Sequence, residues 1–212
     1  MMADHIDPRH IDVSEGEIYG VSAEDIQIPF GLKAKDFLDF AGDDLKGNSV
    51  RDTVNALGNI KRSIDCLFDS LLFMLNFLEE SKHERWAFPE KMNFLSEIGI
   101  ITPYILSRIN SARNLLEHEF KKPDRKDVEM AYDVAILLYY ATIRFTVRFI
   151  SIVDMAVQYE KVWKALHMEI RREERAIMVS IDKKNISVAW SERPEDYKQW
   201  LRILYQALSL YG

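Results

Sequence analysis

Residues 134–157, VAILLYYATIRFTVRFISIVDMAV, decide how the fold is read. This is the most apolar stretch of the chain, and Arg144, Arg148 and Asp154 interrupt it. Each charge would cost about 2.5–3.5 kcal/mol near a bilayer centre. A buried helix is therefore expected, with no membrane span. Just upstream, Pro123 breaks the chain and Asp124 is a side-chain cap, so a long helix is expected from Arg125 through this stretch. Its far end is ambiguous, because FTVRFISIV (145–153) is rich in β-branched and aromatic residues.

Working outward, turn residues are sparse: between Asn48 and Tyr211 the only glycines are Gly58 and Gly99. That spacing predicts long helices. Ser49 followed by Asp52 has the form of a capping box. Apolar residues then recur in steps of three and four from Val50 through Leu57, Ile64 and Leu71 to Leu78, which predicts a helix to about Ser81. Pro89 opens a short helix that Gly99 closes. Thr102 and Pro103 start another, running to about Lys121. Beyond residue 160, AIMVSID and ISVAW read as a hairpin around Lys183–Asn185, and Pro194 starts a terminal helix with the stripe Tyr197, Trp200, Leu201, Leu204 and Leu208. Residues 1–48 hold short apolar alternations (Ile11/Val13, Ile26/Ile28) and a helix from Leu32 to Leu45. An N-terminal strand beside the C-terminal hairpin would relieve the weakness of two strands alone.

Composition sets the class. A chain of 212 residues with 48% hydrophobic and 29% charged residues can bury a core, which excludes intrinsic disorder. The single Cys66 rules out an internal disulfide framework or a thiolate zinc cage and suits a reducing compartment. The net charge of -6 argues against a uniformly basic nucleic-acid coat. Acidity concentrates in residues 1–48, with 11 acids against 4 bases, and leaves the rest near neutral. The start MMADHIDPRH has neither the basic nor the apolar part of a secretory signal, so a cytoplasmic protein is expected.

Phosphate-binding glycine loops, HExxH, EF-hand loops and paired cysteines are all missing, so neither a cofactor nor a metal is expected. One segment stands out: SARNLLEHEFKKPDRK, residues 111–126. On a helical wheel Ile105, Ile109, Ala112, Leu116 and Phe120 share one arc. The opposite arc gathers Ser107, Asn110, Asn114, Glu117 and His118, with Arg113 at its edge. Amides, hydroxyls and an imidazole suit a surface facing something other than bulk water. Asn114 and His118 stand at i,i+4, where an amide can orient the ring. Arg113 and Glu117 also have the spacing of a surface ion pair, and KKPDRK equally that of a solvated turn.

Arg113-Asn114-x-x-x-His118 resembles the RNxxxH motif of the HEPN superfamily (higher eukaryotes and prokaryotes nucleotide-binding domains). The likeness covers roughly residues 50–150. It implies a mainly α, antiparallel four-helix-type bundle over residues 49–160. An acidic N-terminal extension (1–48) would precede it, and a small β-hairpin plus helix (161–212) would pack on it. It further implies a metal-independent endoribonuclease acting as a homodimer, of the kind found in toxin and defence modules. An antitoxin or a minimal nucleotidyltransferase would then be a partner. Some members of the superfamily only bind RNA, nucleotides or partner proteins, and that non-catalytic role is the alternative.

The implied roles match the residue types. RNA carries its 2′-hydroxyl beside the phosphate, so no metal is needed to generate a nucleophile. His118 would be general acid or base, Arg113 would neutralise charge on phosphorus, and Asn114 would orient the ring or the phosphate. Acid and base are two roles and each chain offers one such histidine, which again points to a dimer. Lys121, Lys122 and Arg125 lie just beyond and are candidates for the RNA backbone.

Overall fold

The computed structural model describes residues 6–102, 123–182 and 184–211, and the chain divides into two compact units. One comprises residues 27–92 and 101–147; the other comprises the chain up to 26, residues 93–100 and residues 148–212.

The first unit is helical. α1 (Ala34–Asp44), α2 (Val50–Met74), α3 (Leu78–His83), the start of α4 (Phe88–Glu97), α5 (Arg125–Thr142) and α6 (Arg144–Val147) lie within it. The expected cap is present: the Ser49 hydroxyl accepts from the Asp52 N–H at 3.2 Å, and the Asp52 carboxylate accepts from the Ser49 N–H at 2.9 Å. The stripe of α2 buries Leu57, Ile60, Ile64, Leu67 and Leu71. α1 and α5 pack against it with Leu38, Ala41, Val128, Ala131, Ala135 and Leu138. Gly42 permits the close approach of α1 and α5, since a Cβ there would sit 2.6 Å from the Tyr132 hydroxyl. The helix from Ser49 ends earlier than expected. Asn76 adopts φ 61, the Phe77 N–H reaches Leu72 O at 2.8 Å, and a Schellman turn closes α2 without a glycine.

The second unit is a five-stranded antiparallel sheet in the order β1-β2-β3-β4-β5, with strands Ile11–Glu24, Phe149–Tyr159, Val162–Arg171, Ala176–Ile181 and Lys184–Ala189. α7 (Pro194–Tyr211) covers one face. Tyr197, Trp200, Leu201 and Leu204 of its expected stripe are buried together with Val153, Met155, Leu166, Met168, Ile177 and Val179. The ends of α4, with Phe94 edge-on to Trp190 at 6.0 Å, and Gly99 (φ +82), which closes α4 as expected, belong to this unit.

The sheet overturns the mainly α, four-helix-type bundle: the chain is an α+β protein. The helix from Arg125 stops at Thr142, and from Phe149 to Val157 every second residue is buried. That period of two belongs to a strand, and β-branched and aromatic side chains prefer it. The segment Val162–Arg171 is a further strand that the sequence reading passed over. β1, fourteen residues long, takes up much of what reads as an acidic extension, and it pairs with β2 rather than with the β4–β5 hairpin. Among the described residues no helix is long and apolar enough to cross a membrane.

Candidate functional site

Arg113, Asn114, His118, Lys121 and Lys122 lie outside the described residues; Arg125 lies within them. It stands where the motif segment enters α5, beside a cleft of about 510 Å³ lined by Asn48, Ser49, Val50, Thr53, Pro123 and Asp124. The N-termini of α2 and α5 meet at this cleft. Each leaves N–H groups without helical partners and carries partial positive charge. Both ends are answered internally. Ser49 caps α2, and the Asp124 carboxylate accepts from the Lys126 N–H at 2.8 Å. Hydrogen bonds from Ser49 hold the Asp52 carboxyl below its usual range.

The Arg125 guanidinium is committed to protein oxygens. It donates to Gly47 O at 2.5 Å, to Leu45 O, to the Asn48 side chain at 3.2 Å and to Glu129 at 2.7 Å. The fork therefore ties the 45–48 loop between α1 and α2 to the first turn of α5. Its geometry is that of a clamp at the entrance to the motif segment.

The sheet presents a second constellation. On the face opposite α7, register places Gly20, Asp154, His167, Ser180 and Asn185 in one row across the five strands. His167 Nδ1 and Asp154 Oδ1 are 2.7 Å apart, and both side chains are roughly half-exposed. A Cβ at Gly20 would lie 2.9 Å from Asp154 Oδ2, so glycine leaves that carboxylate room beside the strand. The arrangement orients an imidazole, but among the described residues no hydrogen bond joins Ser180 to the ring. The pair lies thirteen positions apart and forms only through the β2–β3 hairpin. The signal that points to it is the alternation Leu166, Met168, Ile170 around His167. Among the described residues no three His, Cys, Asp or Glu side chains gather as metal ligands.

No protein-family model, no curated protein and no solved structure matches the chain.

Proposed function

We propose that this protein is a metal-independent endoribonuclease of HEPN type, acting in the cytoplasm as a homodimer. The observation that carries the reading is the sequence Arg113-Asn114-x-x-x-His118, opposite an apolar stripe and joined directly to the Pro123–Arg125 junction of the helical unit. The helical unit supports the reading by supplying α2 and α5 as a packed pair on either side of the motif in sequence. The sheet unit is no part of the resemblance.

In this reading one His118 removes the proton from a 2′-hydroxyl, whose oxygen attacks the adjacent phosphorus. The His118 of the second copy protonates the departing 5′-oxygen, which leaves a 2′,3′-cyclic phosphate and a 5′-hydroxyl. Arg113 takes up the charge that grows on the phosphoryl oxygens. Lys121 and Lys122 hold the backbone, while Arg125, already engaged, ties the 45–48 loop to the first turn of α5. The test is cleavage of a labelled RNA in EDTA by the wild type and by His118→Ala. Cleavage that ends in a cyclic phosphate and disappears in the variant supports the proposal. Full activity of His118→Ala, or activity that chelation abolishes and magnesium restores, overturns it.

A further inference from the structure

The polar row across the sheet has the composition of a nucleophilic centre. Asp154 (β2), His167 (β3), Ser180 (β4) and Asn185 (β5) stand on consecutive strands, each directly opposite the next. Directly opposed residues of antiparallel strands carry Cβ atoms about 4.5–5.5 Å apart, so neighbouring side chains are within reach. The order matters: an imidazole lies between a carboxylate and a hydroxyl, and the hydroxyl lies between the imidazole and an amide. Asp154 Oδ1 is 2.7 Å from His167 Nδ1. A carboxylate only accepts, so Nδ1 carries the proton and the lone pair of Nε2 points away from Asp154. β4, with Ser180, flanks β3 on the side away from β2. Beside this row the same face is small and apolar. Ala156 pairs with Ala165, and beyond them Gln158 pairs with Trp163, which is 52% exposed. Four steps of strand separate Trp163 from His167, about 13 Å at roughly 3.3 Å per residue. Two alanines thus floor a shallow trough, with an indole at one end and the imidazole at the other.

We propose that this row is a serine esterase centre for short-chain carboxylic esters, the acyl chain lying over the alanines toward Trp163. Ser180 Oγ gives its proton to His167 Nε2 and attacks the ester carbonyl carbon. The carbonyl oxygen takes up the negative charge and accepts a hydrogen bond from the Asn185 side-chain amide. When the adduct collapses, the carbon–oxygen bond to the alcohol breaks. The alcohol leaves with the proton from Nε2, and the acyl group stays on Ser180. Water then gives a proton to Nε2 and attacks the acyl carbon. Ser180 leaves, recovers its proton from Nε2, and the carboxylic acid departs. Water is the one co-reactant. Asp154 is a positioning residue, which holds the ring and stabilises the imidazolium formed in each half. Among the described residues no hydrogen bond joins Ser180 to the ring, and contacts of this kind commonly tighten only around the substrate.

This inference goes beyond the nuclease reading and uses none of its residues. The test is hydrolysis of para-nitrophenyl butyrate by the full chain, together with labelling by a fluorophosphonate and peptide mass spectrometry. The wild type should release nitrophenolate faster than buffer alone, and the label should sit on Ser180. Ser180→Ala should abolish both. His167→Ala should lower the rate about 10²–10⁴-fold, and Asn185→Ala about 10²–10³-fold. Asp154→Asn should lower kcat and leave KM unchanged, which separates lost positioning from lost binding. Trp163→Ala should raise KM. These side chains lie on an open face, so melting curves should stay near that of the wild type. Labelling of the wild type requires no variant and decides the matter if one fails to fold. A wild type no faster than buffer, a fluorophosphonate that misses Ser180, or a Ser180→Ala as fast as wild type overturns the inference.

Discussion

Replacing Arg125 with alanine removes a guanidinium that bonds two backbone carbonyls, Leu45 O and Gly47 O, and two side chains. A hydrogen bond from a charged donor contributes about 1.5–3 kcal/mol, and a surface i,i+4 ion pair such as Arg125–Glu129 a few tenths. The side chain is 37% exposed, so water replaces part of what is lost. The two carbonyl bonds then set the scale, at roughly 2–3 kcal/mol in total, since each falls to the lower end of its range. With a urea slope of about 2 kcal/mol/M, the midpoint should fall by roughly 1 M. Lysine keeps the charge but not the fork, and Arg125→Lys should recover less than half of the loss. Hydrogen exchange should localise the effect, with faster exchange at residues 45–53 and 123–128 and little change in the sheet. RNA binding separates clamp from contact. Loss of Lys121 or Lys122 should lower the salt slope by nearly one charge each, whereas Arg125→Ala should leave the slope unchanged. Arg125→Ala with unaltered stability and a reduced salt slope would refute the clamp and return Arg125 to the RNA backbone.

His118→Ala should cost about 10²–10⁴ in cleavage rate in EDTA, with stability within roughly 1 kcal/mol of wild type by denaturation. Gly42→Ala should destabilise by about 1–2 kcal/mol, because its Cβ would meet the Tyr132 hydroxyl; in a Tyr132→Phe background the same change should become neutral or stabilising, as helix propensity favours alanine by about 1 kcal/mol. A double-mutant cycle of melting curves reads both, and additive effects would contradict the contact. Glu160→Asn/Lys161→Gly should stabilise the β2–β3 hairpin by about 1 kcal/mol in thermal unfolding, since both residues now hold left-handed backbone without glycine. Any loss of stability there would show that the side chains matter more than the turn.

Helix starts were legible because they are written in side chains: Ser49 with Asp52, and Asp124, cap where their chemistry says they should. The end of α4 was legible for the same reason, through Gly99. The β4–β5 hairpin was legible, but β2 and β3 were hidden because the turns on either side of β3 carry no such mark. Tyr159 pairs with Val162 through Glu160 and Lys161, and the β3–β4 turn closes with Arg175 at φ 47, so charged residues stand where glycine or asparagine usually signals a hairpin. Arg85 ends α3 in the same unmarked way. Without a turn signal, the apolar run from Val134 continued on paper into a helix, and burial decided otherwise at Phe149. The candidate motif was legible as spacing alone, whereas the Asp154–His167 pair depends on register between strands. The role of Arg125 was read as charge, and only its four acceptors show a clamp.

The pairing of β1 with β2 also orders events at the ribosome. Glu24 is made early, and its cross-strand partner Phe149 follows 125 residues later. At about 5–20 residues per second the strand waits roughly 6–25 s for its neighbour. During that time it is an unpaired edge on a nascent chain, open to strands from neighbouring polysomes. Asp12, Glu15, Glu17 and Glu24 repel identical strands, and three irregularities of register in the final ladder keep the segment from being a flat template. The four acids of β1 are thus placed to disfavour self-pairing of a strand whose partner has not yet been translated.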